Sequence, residues 1–130
     1  MSDIDQILFN IEHNYEKWSE SFASLVVDPS DPLSTLKFEN CLKRMRPEVA
    51  LPLAKTVFLG DYRDILDKVV VPCDIIQTRN DVVVPNSVPE FINAKIKGKR
   101  EVHVIYTDGH FPQLTAPLEF LQVFDRILGF

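Results

Sequence analysis

A chain of 130 residues, 45% hydrophobic and 25% charged, has the composition and size of one ordinary globular domain. Its net charge of -5, with no basic cluster larger than Lys97, Lys99 and Arg100, excludes the footprint of a nucleic-acid-binding protein. No apolar run reaches the roughly 18 residues of a membrane span; the opening MSDIDQILFN lacks the basic flank of a signal peptide; and two cysteines, Cys41 and Cys73, read as reduced intracellular thiols rather than a disulfide framework.

Up to about residue 68 every periodic segment predicts helix. Ile4, Ile7, Leu8 and Ile11 fall at i, i+3, i+4 and i+7 behind an Asp/Ser-rich start, which is one amphipathic face. Tyr15, Trp18, Phe22 and Leu25 outline a second short helix, broken by the two prolines of VVDPSDPLS. A third is expected from about Ser34 to Met45. Pro47 suits the first turn of a fourth, PEVALPLAKTVF, where its missing N–H would be unpaired anyway. Pro52 is expected to kink that helix, Gly60 to end it, and Asp61 to cap the next one, YRDILDK.

The second half changes character. KVVVPCDIIQT is β-branched and apolar with little alternation, the pattern of a strand buried on both faces of a parallel sheet, with Cys73 inside it. NSVPEFINAKIK predicts a helix with Asn86 at its cap, EVHVIY a second strand, and APLEFLQVFDRIL a closing amphipathic helix. Strand, helix, strand, helix is a right-handed crossover unit of an α/β protein. Two parallel strands alone do not make a stable sheet, so the chain is expected to be part of a domain rather than a whole one.

Two residues stand where open α/β sheets build their sites, at the carboxyl ends of the strands. Asp81 follows the first strand in TRNDVVVP, and His110 follows the second in TDGH, 29 residues later. Each alone is an ordinary turn residue, and Asp-Gly is a common turn dipeptide. Together, in this order, they match the acid–base half of a Ser, Asp, His triad on an α/β-hydrolase. The acid would fix the imidazole tautomer and stabilise the imidazolium formed when serine is deprotonated. The nucleophile is missing: none of the four glycines, at 60, 98, 109 and 129, flanks a serine in G-x-S-x-G, and the glycine-rich oxyanion loop is absent. Loss of such a nucleophile costs on the order of 10⁶ in kcat, so this chain is not expected to be a competent hydrolase.

Other residues are weaker candidates. His103, His110 and Asp108 do not compose a metal-ligand set, and no metal or cofactor is expected. His103 alternates with Val102 and Val104 and reads as a polar residue on a sheet face or edge, while His13 ends the first helix, where the dipole favours a cation. On pattern alone Trp18, Phe22 and Phe58 are core aromatics.

Four stretches, YEKWSESFA (15–23), RMRPEVALPLAKTVFLGDYRDIL (44–66), VPCDIIQTRNDVVVPNSV (71–88) and DGHFPQLTAP (108–117), together resemble the carboxyl-terminal half of the plant strigolactone and karrikin receptors, which are α/β-hydrolases. The resemblance extends over essentially the whole chain. It implies a four-helix, V-shaped lid over residues 1–60, and the last two parallel strands of the hydrolase core with their helices over residues 61–130. It makes Asp81 the triad acid and His110 the base, with Trp18, Phe22, Phe58, Val83 and position 43 lining the ligand pocket. It further implies slow cleavage of a butenolide enol ether without cofactor or metal. The implied partners are an F-box protein of a ubiquitin ligase and a Clp-ATPase-like repressor, bound through the lid in cytoplasm and nucleus.

The chain departs from that family at several points. Leu42-Lys43-Arg44-Met45-Arg46-Pro47 stands for the usual Leu-Phe-Asn-Met-Arg-Pro, so Lys43 replaces a pocket aromatic and is expected to narrow, charge or re-aim the cavity. Phe111 replaces a leucine, and Arg79-Asn80 precede Asp81 where a small or aliphatic residue and lysine are usual. These changes point to a divergent, receptor-like paralogue cut before its elbow serine. The alternatives are a general carboxylesterase of the same fold and a non-catalytic truncated interaction module.

Overall fold

The structure, a computed structural model, describes residues 3–130; Ser2, part of the expected helix start, lies outside it. Four helices come first: α1 (Asp3–His13), α2 (Tyr15–Val26), α3 (Pro32–Lys43) and α4 (Pro47–Leu59). They pair as α1 with α4 and α2 with α3, and α1 also meets α2. α3 begins two residues before the expected Ser34. The Asp31 carboxylate accepts from the Ser34 N–H at 3.0 Å, and Pro32 supplies a pre-set first turn without needing a donor. α4 runs through Pro52 to Leu59, and Gly60 follows it as expected.

Asp61 does not cap a helix. Tyr62 holds that position, and YRDILDK forms a short 3₁₀ segment, Arg63–Lys68. Asp61 pairs with the Arg63 guanidinium and also accepts from the Arg63 N–H at 3.1 Å, which lowers its carboxyl pKa to about 2. Two parallel strands follow, β1 (Cys73–Asn80) and β2 (Arg100–Asp108), joined by α5 (Ser87–Lys95). A turn of helix, α6 (Pro112–Thr115), and the closing α7 (Pro117–Leu128) complete the chain. This is the carboxyl-terminal part of an α/β-hydrolase fold, a helical segment followed by two parallel strands and their helices.

β1 differs from expectation in length and burial. Pro72 has no N–H to pair, so the ladder starts at Cys73, and Val70 and Val71 before it are 69% and 61% exposed. With one partner strand, β1 is buried only at Gln77 and Thr78. Asn86 takes the position before α5 without capping it. Its amide instead accepts from Gln77 Nε2 and donates to the Arg79 carbonyl.

The register runs from Cys73 opposite Arg100 to Thr78 opposite Ile105, then slips so that Asn80 faces Asp108. One extra residue on β2 is a bulge, and it re-aims the end of that strand toward the loop carrying His110. The Cys73 N–H donates to the Lys99 carbonyl, so before the slip the odd-numbered residues of β1 bond to β2 and the even-numbered ones point to the free edge, while past it Asn80 bonds inward, accepting from the Gly109 N–H at 2.8 Å. On the far side of β2, the Tyr106 N–H donates to Glu119 on α7 at 3.2 Å. Among the described residues the buried apolar set is small: Ile11, Ala23, Val26, Val27, Ala50, Ile96, Ile105 and Val123. Large apolar side chains remain open on β2 (Val104, Tyr106) and on α7 (Leu118, Leu121, Phe124).

Candidate functional site

Asp81 leaves β1 into a tight turn. Its Oδ1 accepts from the backbone N–H groups of Val83 at 2.8 Å and Val84 at 3.0 Å. These bonds use one oxygen and aim the other, Oδ2, at His110 Nδ1, 2.7 Å away. The Asp81 side chain is only 6% exposed, so its carboxylate needs every one of these partners. An imidazole donating Nδ1–H to a carboxylate presents a lone pair at Nε2, which is the form a general base requires. Nε2 makes no hydrogen bond among the described residues, and the His110 side chain is 36% exposed.

His110 is held by backbone as well. Gly109, at φ +83°, lies against the chain leaving α2, where an added Cβ would come within 2.7–2.9 Å of Val26, Val27 and Asp28 backbone atoms. Only glycine allows both this approach and this φ. The closeness lets the His110 N–H donate to the Val26 carbonyl at 2.7 Å, and Val27 forms an antiparallel bridge with Gly109. The Thr78 hydroxyl, buried in β1, donates to the Gly109 carbonyl at 2.7 Å. Beside this, Asp108 accepts from Arg79 Nη2 at 2.8 Å and from Asn80 Nδ2 at 2.9 Å. Arg79 and Asn80, the residues just before Asp81, thus brace the loop that carries His110.

The sequence-derived pocket residues separate into groups. Trp18 stacks on Phe22 with ring centroids 4.9 Å apart, and Tyr15 adjoins Trp18 at 5.5 Å. Phe22 meets Phe38 at 6.5 Å, Phe38 packs on Phe111 at 4.3 Å, and Phe111 sets its edge against His110 at 5.1 Å. An aromatic row therefore runs from α2 through α3 to the histidine. Phe38 was not singled out in the sequence; its place on α3 opposite Phe22 follows only once the two helices pair. Phe58 is half-buried on α4 and outside this row. Val83 contributes its backbone N–H to Asp81.

Lys43 sits between α2 and α3, its ammonium 2.8 Å from both Glu20 and Glu39. Hydrogen bonds to Glu20 first and Glu39 second raise its pKa far above the usual lysine range. Its charge is matched by carboxylates at a partly open site, where an ammonium is far less costly than inside an apolar cavity. A cleft of about 200 Å³ along β1 and α5, lined by Ile76, Thr78, Val84 and Ile92 among others, reaches Asp81 and His110. Larger open hollows, about 570 Å³ beside Asp74 and about 620 Å³ beside Asp61, include neither residue.

At the opposite end of the strands, His103 Nε2 lies 2.8 Å from Asp74 Oδ1 on the neighbouring strand. With Glu101, these are three potential ligand atoms within 4.8 Å of one another, and no further ligand joins them among the described residues. The Asp74–His103 pair is a cross-strand bond on a sheet face, the placement expected of His103.

No family model matches the sequence. The chain is 44% identical over 116 residues to karrikin insensitive 2 receptor IA of Petunia hybrida, covering 88% of this chain and 42% of that protein. It is 39% identical over 126 residues to strigolactone esterase D14 of Arabidopsis thaliana, covering 97% of this chain and 47% of that one. Among solved structures, a hydrolase from Oleispira antarctica superposes with a TM-score of 0.89 at 22% identity, over 98% of this chain and 46% of that one. An esterase from Exiguobacterium antarcticum gives 0.87 at 19% identity, over 98% and 48%. The chain thus spans about half the length of the curated relatives it matches. By sequence along most of its length it is similar to karrikin receptors and strigolactone esterases, and by fold it corresponds to the carboxyl-terminal part of an α/β-hydrolase.

Proposed function

We propose that this chain is the lid and carboxyl-terminal core of a receptor-like serine α/β-hydrolase that binds and slowly hydrolyses a butenolide-type ligand. The observation that carries this reading is the 2.7 Å bond between Asp81 and His110, on loops after adjacent parallel strands, with Nε2 left free. The names of the relatives, karrikin receptors and strigolactone esterases, supply the ligand class. Residues 1–60 act as the lid and residues 61–130 as the core portion. Trp18 and Phe22, with Phe38 and Phe111, form the aromatic wall leading from the lid to the base.

The chemistry assigned to this chain's residues is proton transfer. His110 Nε2 takes the proton of a serine hydroxyl as its oxygen attacks the ligand's electrophilic carbon; the imidazolium, stabilised by Asp81, then gives that proton to the leaving oxygen. The serine has to come from polypeptide outside this sequence, and the chain by itself is inactive. The family's signalling role, with an F-box protein and a Clp-ATPase-like repressor docking on the lid in cytoplasm and nucleus, is part of the same proposal.

The test joins the reading frame upstream of Met1 to this chain. The expected result is a continuous frame carrying G-x-S-x-G, and a joined protein that hydrolyses a strigolactone analogue while the 130-residue chain and a His110→Ala variant do not. Stop codons throughout the upstream frame, or hydrolysis by the chain alone that survives His110→Ala, overturn the proposal. Faster turnover of simple acyl esters than of any butenolide would turn it into a general carboxylesterase.

A further inference from the structure

Asp28 follows the last residues of α2 and joins two parts of the molecule 80 residues apart. One oxygen, Oδ1, accepts from the Ser30 N–H at 2.8 Å and the Ser30 hydroxyl at 2.6 Å. The other, Oδ2, crosses to the end of β2, accepting from the Asp108 N–H at 3.1 Å and the Thr107 hydroxyl at 3.3 Å. Thr107 is 6% exposed and also exchanges a 2.8 Å hydrogen bond with Thr115 at the end of α6. The Asp28 carboxylate therefore pins the two residues that precede Gly109 and His110. Ser30 in turn fixes the carboxylate from its other side.

We propose that Asp28 is a positioning residue for His110, holding the Thr107–Gly109 backbone at the height from which the imidazole reaches Asp81. The role rests on the reading of Asp81 and His110 as the acid–base pair. Two geometric facts support it. The bulge at the end of β2 shifts the pairing so that Asn80 faces Asp108 and accepts from the Gly109 N–H, while the Asp108 N–H is left to acceptors outside the sheet, so residues 107–110 also take partners from elsewhere. Those partners come from the α2 exit: Asp28 holds Thr107 and Asp108, the Val27 bridge holds Gly109, and the Val26 carbonyl holds the His110 N–H. Without Asp28, the Asp108 N–H loses its acceptor, and ahead of Gly109 the loop is held only through the side chains of Thr107 and Asp108. The hydrogen bonds from Ser30, ahead of those from Asp108 and Thr107, also hold the Asp28 carboxyl below the usual carboxylate range, which keeps it an acceptor. Among the described residues Asp28 hydrogen-bonds to neither His110 nor Asp81, so its effect runs through Thr107 and Asp108.

The test is proton NMR of the 130-residue chain, reading the downfield signal of the His110 Nδ1–H held by Asp81. The signal is assigned by its disappearance in His110→Asn. Asp28→Ala is expected to accelerate its exchange with water by about tenfold or more, or to remove it, while the thermal melt stays cooperative. Asp28→Asn, which keeps an acceptor oxygen, is expected to restore part of the protection. Asp31→Ala is the control. It removes two bonds of similar kind, to the Ser34 N–H and hydroxyl, without contacting Thr107 or Asp108, and should leave the signal in place. If Asp28→Ala fails to fold, Thr107→Val and Asp28→Asn carry the comparison, and both should accelerate exchange. Unchanged exchange in folded Asp28→Ala, or in both substitute variants, overturns the role of Asp28. A parent chain with no signal removable by His110→Asn overturns the acid–base pair itself and the proposal with it.

Discussion

Replacing Gly109 by alanine tests the packing of the histidine loop more directly than any change at His110. Its φ of +83° is a region where an alanine costs roughly 1–2 kcal/mol. The new methyl would stand 2.7 Å from the Asp28 nitrogen, 2.8 Å from the Val26 oxygen and 2.9 Å from the Val27 carbonyl carbon. All three are backbone atoms, so no side chain can rotate out of the way. The α2 exit has to withdraw, breaking the 2.7 Å bond from His110 to Val26, worth about 1 kcal/mol net. The total destabilisation is about 3 kcal/mol or more. Gly129 is the internal standard: its φ is +81°, yet nothing lies within 4 Å of the added methyl, so Gly129→Ala should cost only the conformational part, roughly 1–2 kcal/mol. Urea unfolding of both variants, followed by fluorescence of Trp18, the only tryptophan, measures the difference. Equal shifts in midpoint for the two variants would show that the close approach at Gly109 carries no energetic weight.

Thr78→Val removes the donor to the Gly109 carbonyl from a buried position and should destabilise by about 1–3 kcal/mol in the same unfolding assay, with no change in slope. Asp28 has a depressed folded pKa, so its contribution is complete above the ordinary carboxylate pKa and is lost as pH falls through the lower folded value. Asp28→Asn should therefore flatten the acid limb of stability against pH, with the two proteins converging at the lowest pH. Lys43→Met breaks the bonds to Glu20 and Glu39; the resulting drop in melting temperature should be small and should shrink further in high salt. Tyr15→Phe removes the hydroxyl that donates to the Leu42 carbonyl at 2.9 Å, linking α2 to α3, and should cost about 1 kcal/mol in the unfolding assay.

Helices were legible in this sequence because their signals are local: i, i+3, i+4 spacing in α1, proline at the first turn of α4, glycine after its last. Boundaries drifted where a side chain could take either of two jobs. Asp31 began α3 early by capping it, and Asp61 folded onto Arg63 instead of capping the segment after it. β1 was read as more buried than it is, because its β-branched composition records a fit to neighbours on both faces, whereas only β2 pairs with it. Asp81 and His110 could be found because chain order and strand ends are sequence properties. Asp28 could not. Its loop looks like any Pro- and Asp-rich break between helices, and its significance depends on a contact 80 residues away. Phe38 was hidden for a related reason, since only the pairing of α2 with α3 sets it between Phe22 and Phe111. Lys43 stood out as a departure from the family, but its destination between two glutamates depends on which residues face it across the helix pair.

The carboxylate of Glu119 at the Tyr106 N–H has a consequence for how this sheet can be extended. An incoming strand needs a row of free backbone donors and acceptors, and on the β2 margin one donor is already occupied by a charged group. The β1 margin carries no such charged guard among the described residues, and Asp74, Ile76 and Thr78 direct their backbone groups outward there. The two sides of the ribbon are therefore unequal: a further strand is admitted beside β1 and discouraged beside β2. Sheet growth in this molecule has a direction, and it leads away from α7, along the strand that ends at Asp81.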